Sequence, residues 1–136
     1  MPRFVLLEHT GAPDDPTGLH YDLLLEQGPD CRTWRLASIP EPGGPEVIAS
    51  ELPAHRLAWL DREAGEVSGG RGFARRIDAG TYEPATRPEP DSNPRAAVDV
   101  TLQGQRLAGR LVLRAHEDRW IACLVRLRSE TDVDAR

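Results

Sequence analysis

The chain contains no lysine: all 17 of its basic residues are arginine. It has two cysteines, one methionine and only 5% aromatic residues. No apolar run approaches the roughly 20 residues that a helix needs to cross a bilayer, which excludes a membrane-spanning helix and predicts no membrane partner. The first residues lack the basic segment and apolar stretch of a secretory leader. Cys31 and Cys123 are isolated and without metal-ligand spacing, which excludes a cysteine-built zinc site and a disulfide scaffold. Reduced thiols in a cytoplasmic protein are the expectation, with one disulfide as the alternative. A net charge of −5 argues against a uniformly basic nucleic-acid binder. Arginine nevertheless offers a planar fork that fits phosphate, so local phosphate contacts remain compatible with the negative total.

What is present is a chain cut short at frequent intervals. Its 136 residues hold 39% apolar and 29% charged side chains, enough for one domain with a core. Twelve prolines and twelve glycines interrupt it, a pattern that favours many short strands over long helices. Residues 3–9 and 19–26 read as strands joined by the loop Gly11 to Gly18, and 32–36 as a third strand antiparallel to the second. Residues 47–49 form a short strand, and Leu52 to Leu60 suits either a strand or a short helix. The glycines at 65, 69, 70 and 72 make a turn, since the lysine and helix of a nucleotide loop are missing. A strand follows from Phe73 to Tyr82, and 83–95 is a proline-rich surface loop. Residues 97–102, 106–114 (with Gly109 as a bulge) and 120–127 form a meander, and 128–136 is a tail. The prediction is a single all-β domain over 1–136, a compact antiparallel β-barrel with one or two short helices.

One stretch carries chemistry. In Leu19-His20-Tyr21-Asp22-Leu23-Leu24-Leu25-Glu26, strand alternation puts Tyr21, Leu23 and Leu25 on one face and His20 and Asp22 on the other. An imidazole and a carboxylate held by a strand are two parts of a divalent-metal site. His9, at the end of the preceding apolar run, completes the set if the two strands are neighbours. The competing reading is an ordinary hydrogen-bonded surface pair. His116 lies in a turn beside Glu117 and Asp118 and reads as solvated. Trp34 and Trp120 read as core. Trp59, near His55, suits a wall of a site.

In their order along the chain, His9, Leu19-His20-Tyr21-Asp22-Leu23-x-Leu25-Glu26, Trp34, His55-x-Leu57, Gly80-Thr81-Tyr82-Glu83-Pro84, Leu102-x-Gly104-x-Arg106-Leu107-x-Gly109 and Trp120 resemble the 3′-phosphoesterase domain of bacterial DNA ligase D. The resemblance implies a β-barrel that removes 3′-terminal phosphates and ribonucleotides from nucleic-acid ends in DNA repair. It implies manganese as the cofactor, with zinc as the alternative. His9, His20 and Asp22 match the family's metal ligands, and His55 matches a histidine on the scissile phosphate, which makes His55 and His20 the catalytic candidates. The implied partners are nucleic-acid 3′ ends or another phosphate ester, and a repair ligase or polymerase.

The departures from the family pattern lie around the phosphate. Leu24 stands where the family has a phosphate-clamping arginine, Trp59 where it has a tyrosine, and Ser38 where it has a lysine. The loop between the first two ligands is longer here, with ten residues between His9 and His20. Arg35 and Arg56 are the candidate replacements for the clamp, and phosphate binding is assigned to them with His55. Two functions follow: a metal-dependent phosphoesterase weakened by the missing clamp, or a non-catalytic barrel that binds metal, nucleic acid or a repair partner. A barrel with merely structural histidines is the third.

Overall fold

Glycine and proline stop each apolar run before it reaches helical length, and the computed structural model, which describes residues 1–84 and 96–126, is built almost entirely of strands. In chain order they are β1 (Arg3–Thr10), β2 (Leu19–Gln27), β3 (Asp30–Leu36), β4 (Val47–Arg56), β5 (Ala64–Glu66), β6 (Phe73–Pro84), β7 (Ala96–Gly104), β8 (Ala108–His116) and β9 (Arg119–Val125). The only helical element among the described residues is a 3₁₀ turn, Leu57–Leu60. No helix there is long and apolar enough to cross a membrane.

The strands pair in the order β1-β2-β3-β4-β9-β8-β7-β6, and β6 pairs back onto β1, which closes an eight-stranded antiparallel barrel. β5 adds to β6 beside that closure. The all-β expectation is met, and its local logic is that of two meanders, β1-β2-β3-β4 and β6-β7-β8-β9. Closure removes the exposed edges that an open sheet would leave.

The interior holds Phe4, Leu6, Leu23, Leu25, Trp34, Leu36 and the apolar residues of β7 to β9. Trp34 is fully buried in the core, as expected, and meets Trp120 edge to face at 6.2 Å; Trp120 is partly buried and packs against that core. A second apolar cluster lies on the other faces of β1, β2 and β3: Val5, Leu7, Leu24, Cys31, Leu60 and Ala74. The 3₁₀ turn covers it with Leu57, Trp59 and Leu60. Burial on both faces explains why Phe4 to Leu7 and Leu23 to Leu25 are continuous apolar runs.

Several boundaries differ from the sequence reading. β4 extends from Val47 to Arg56 and carries Pro53; the register shift in its pairing with β3 falls opposite, between Cys31 and Thr33, where a residue without an N–H cannot continue the ladder. β5 occupies part of the expected glycine turn, β6 runs on to Pro84, and β8 starts at Ala108. Gly109 is not a bulge: it pairs in register with Leu102, and the irregularity lies between Ala96 and Val98. Most of the expected 83–95 loop, and Leu127 with the 128–136 tail, lie outside the described residues. Both cysteines are free.

Asp78 fixes the turn between β7 and β8. Its buried carboxylate accepts the backbone amides of Gln105 (3.1 Å), Arg106 (3.0 Å) and Leu107 (2.7 Å). A Cβ on Gly104 would come within 2.6 Å of that carboxylate and of the Phe4 ring, so the close approach requires glycine. These contacts give the Leu-x-Gly-x-Arg-Leu-x-Gly stretch a structural role in the turn. Asp78→Ala leaves three amides without their acceptor and is expected to cost about 2–4 kcal/mol, read as a lower midpoint in urea unfolding.

Candidate metal centre

β1 and β2 pair so that His9 faces His20 directly. Directly paired residues share a face, and the two rings meet edge to face at 4.6 Å between centroids. Asp22, two residues further along β2, projects to the same side. All three are buried, at 7%, 3% and 2% exposure. The bland surface pair is therefore not what the fold makes of these residues.

The distances define an anionic centre between two imidazoles. Asp22 Oδ2 lies 2.9 Å from His9 Nδ1, and Asp22 Oδ1 lies 3.2 Å from His20 Nε2. The outer nitrogens are also engaged. His9 Nε2 donates to the Arg71 carbonyl at 2.7 Å, and His20 Nδ1 lies 2.7 Å from Asp15 Oδ2. Arg71 belongs to the glycine-rich turn, brought close because Gly72 packs against β1; a Cβ there would sit 2.1 Å from the Thr10 carbonyl.

Carbonyl and carboxylate oxygens only accept, so the outer nitrogen of each ring must carry its proton. The inner nitrogen of a neutral ring then presents a lone pair to Asp22. His20 Nε2 and Asp22 Oδ1 show the result: both are buried, and neither has a hydrogen-bond partner. Burial pushes the Asp22 carboxyl up, but once a second proton sits on the rings their inner N–H groups face the carboxylate, and in that state His20 and His9 outweigh burial and hold it at about 2. The bond to Asp22 raises His9 above its ordinary value against the opposing pull of burial. The centre thus lacks positive charge at its middle, which either a proton or a metal ion supplies. The three ligand atoms lie within 4.8 Å of one another, the only such group among the described residues. The donor set fits a divalent cation, and each imidazole has the outer hydrogen bond that metal-ligating histidines ordinarily make.

Around this centre the candidates separate. Arg35 pairs with Asp22 across β2 and β3 and lies on the same face. One terminal nitrogen of Arg35 reaches both oxygens of Asp14 at 3.2 Å, while its Nε is buried without a partner. Arg56 is exposed and pairs with Asp30 at the opposite end of β3. His55 is half-buried, with Nδ1 3.0 Å from the Pro53 carbonyl, and pairs with Cys31, which itself pairs with Glu26. Glu26 is four residues from Asp22, roughly 13 Å along the strand. The register therefore sets Arg35 opposite Asp22, and His55 and Arg56 opposite the other end of β3.

Leu24, on the same strand as Asp22, and Cys31, the strand partner of His55, are buried with Leu60 in the second apolar cluster. Trp59 packs on that cluster with the Arg62 guanidinium 4.6 Å above its ring. Sequence reasoning missed three contributors: Asp15, the Arg71 carbonyl and Arg76. Arg76 pairs with Leu7, whose other neighbour is Asp22, and bonds the Leu60 carbonyl at 3.1 Å while its Nε is buried without a partner. The one available signal was a carboxylate five residues ahead of His20. A backbone carbonyl leaves no trace in residue type.

A family model, the DNA Ligase D 3′-phosphoesterase domain, matches residues 12–114. The chain belongs to this family. No curated protein matches the sequence. The family match includes His20, Asp22 and His55 and starts just after His9, so it is the strand register that sets His9 beside His20. It also includes Leu24, and the apolar cluster is the structural counterpart of that departure from the 3′-phosphoesterase pattern.

Proposed function

We propose that this 3′-phosphoesterase-family protein acts with a divalent metal on the 3′ ends of DNA or RNA in end repair, removing 3′-phosphates or terminal ribonucleosides at a reduced rate. The observation that supports this reading is the buried, unpartnered pair of His20 Nε2 and Asp22 Oδ1 beside His9. His9, His20 and Asp22 would hold the cation, manganese in the first instance and zinc in the second, because two imidazoles suit a borderline metal better than magnesium. When bound, such a cation neutralises phosphate oxygens and lowers the pKa of a coordinated water. Arg35 is the residue of this chain best placed to orient the phosphate, because it flanks Asp22 and its present partner, Asp14, is solvent-exposed and displaceable. His55 and Arg56 would contribute only to parts of a longer substrate. Repair ligases or polymerases are the proposed protein partners, in the cytoplasm.

The second reading is a non-catalytic module that binds metal, nucleic acid or a repair partner. The apolar cluster around Leu24 favours it, since orientation of the phosphate is a large share of catalysis. A primer ending in a 3′-phosphate, incubated with manganese, separates the two by phosphate release. Slow turnover is expected from the wild type, a loss of about 10–100-fold from Arg35→Ala, and no change from Arg56→Ala. A silent wild type that still binds manganese supports the module.

A further inference from the structure

We propose that Asp15 is the positioning residue of the metal centre: it selects which nitrogen of His20 is presented to the cation. The inference rests on the metal-site reading above. Asp15 sits in the loop between β1 and β2, yet its side chain is only 9% exposed. The loop is closed by its own backbone: the amide of Gly11 donates to the Gly18 carbonyl at 3.2 Å, and that of Gly18 to the Asp15 carbonyl at 3.1 Å. Both carboxylate oxygens are used. Oδ1 accepts the Thr17 amide at 3.0 Å and its hydroxyl at 2.6 Å, which aims Oδ2 at His20 Nδ1, 2.7 Å away.

A carboxylate can only accept, so this contact keeps the proton on Nδ1 and leaves the Nε2 lone pair facing Asp22. Without it, a neutral imidazole interconverts between two tautomers, and the one protonated on Nε2 cannot bind metal there. Carboxylate–histidine pairs of this kind typically tighten metal binding 10- to 100-fold. Asp14, the neighbouring residue, points elsewhere and pairs with Arg35, which makes it the natural control for the integrity of the loop.

The test uses the full chain labelled with ¹⁵N in its imidazoles, without metal and at mildly alkaline pH. Wild-type His20 is expected as a single Nδ1–H tautomer, and Asp15→Ala as a mixture. Manganese titration calorimetry should then show about 10–100-fold weaker binding for Asp15→Ala and Asp15→Asn, and less than twofold change for Asp14→Ala. Asp15→Asn, nearly isosteric, carries the affinity test if the alanine variant unfolds. A single Nδ1–H tautomer in Asp15→Ala, or unchanged affinity in Asp15→Asn, overturns the proposal. If the wild type binds no manganese, the metal reading fails, while the tautomer result still decides the role of Asp15.

Discussion

Asp22→Asn is expected to abolish measurable manganese binding and to lower the stability of the metal-free protein as well. Asparagine keeps the shape and removes the charge on which both imidazoles converge, at 2.9 and 3.2 Å. For the metal, a charged ligand becomes a weak neutral one in a site that offers two other donors, so a loss of at least 100-fold is expected in calorimetry (about 3 kcal/mol by the usual conversion). For the fold, the carboxyl is held at about 2 against an ordinary 3.8, a difference on the order of 2 kcal/mol of stability at neutral pH.

The sign of that second effect predicts a pH signature. A carboxyl whose folded pKa is depressed contributes fully above its unfolded value and loses its contribution as pH falls from about 3.8 toward about 2. His9 works the other way. Its folded pKa is raised, so its contribution is present below 6.5 and is lost as pH rises through the raised value. The wild type, freed of metal, should therefore be most stable between these limits, and Asp22→Asn should flatten both limbs of a urea-midpoint profile. A variant that kept the acid limb would show that other carboxylates produce it, and retained manganese affinity would remove Asp22 from the ligand set.

The triad was legible in the sequence because its geometry is one of strand period and pairing. His20 and Asp22 are two residues apart on one strand, and His9 closes the strand that pairs with it, so alternation and an antiparallel hairpin suffice to bring them together. The barrel was legible for a similar reason: alternating segments between prolines and glycines leave few alternatives. What stayed hidden depended on the third dimension. Arg35 and Arg56 look equivalent as sequence, and only the register of β3 puts one opposite Asp22 and the other opposite the far end of that strand. His55 was assigned through family resemblance, and only the register shows that it pairs with Cys31, at the other end of β3 from Arg35. Leu24 was read as the absence of a clamp. Its environment shows that the space has been filled, by Leu60 from the 3₁₀ turn and by Cys31.

That filling determines the outcome of the obvious repair. Leu24→Arg puts an arginine where the resemblance to the family implies a phosphate clamp, and it is expected to destabilise the protein without raising turnover. Leu24 is fully buried among Val5, Leu7, Cys31 and Leu60, with the 3₁₀ turn above it. A guanidinium placed there displaces the apolar contacts of that cluster, and the carboxylates flanking it on the same strand face, Asp22 and Glu26, are already engaged by His9 and Arg3; a buried charge without a free partner costs several kcal/mol. Against a total stability of about 5–15 kcal/mol for a domain of this kind, a loss of about 3–5 kcal/mol should appear as a large drop in thermal midpoint. The side chain could avoid this cost only by displacing Leu60 and Trp59, and that would lift the turn and expose the cluster it covers. The clamp and its cover are thus coupled, and one substitution cannot exchange them. The measurement pairs thermal unfolding with phosphate release from the 3′-phosphate primer in manganese. A Leu24→Arg protein that melts like the wild type and turns over faster would show that the turn opens freely and that the apolar cluster does not close the site.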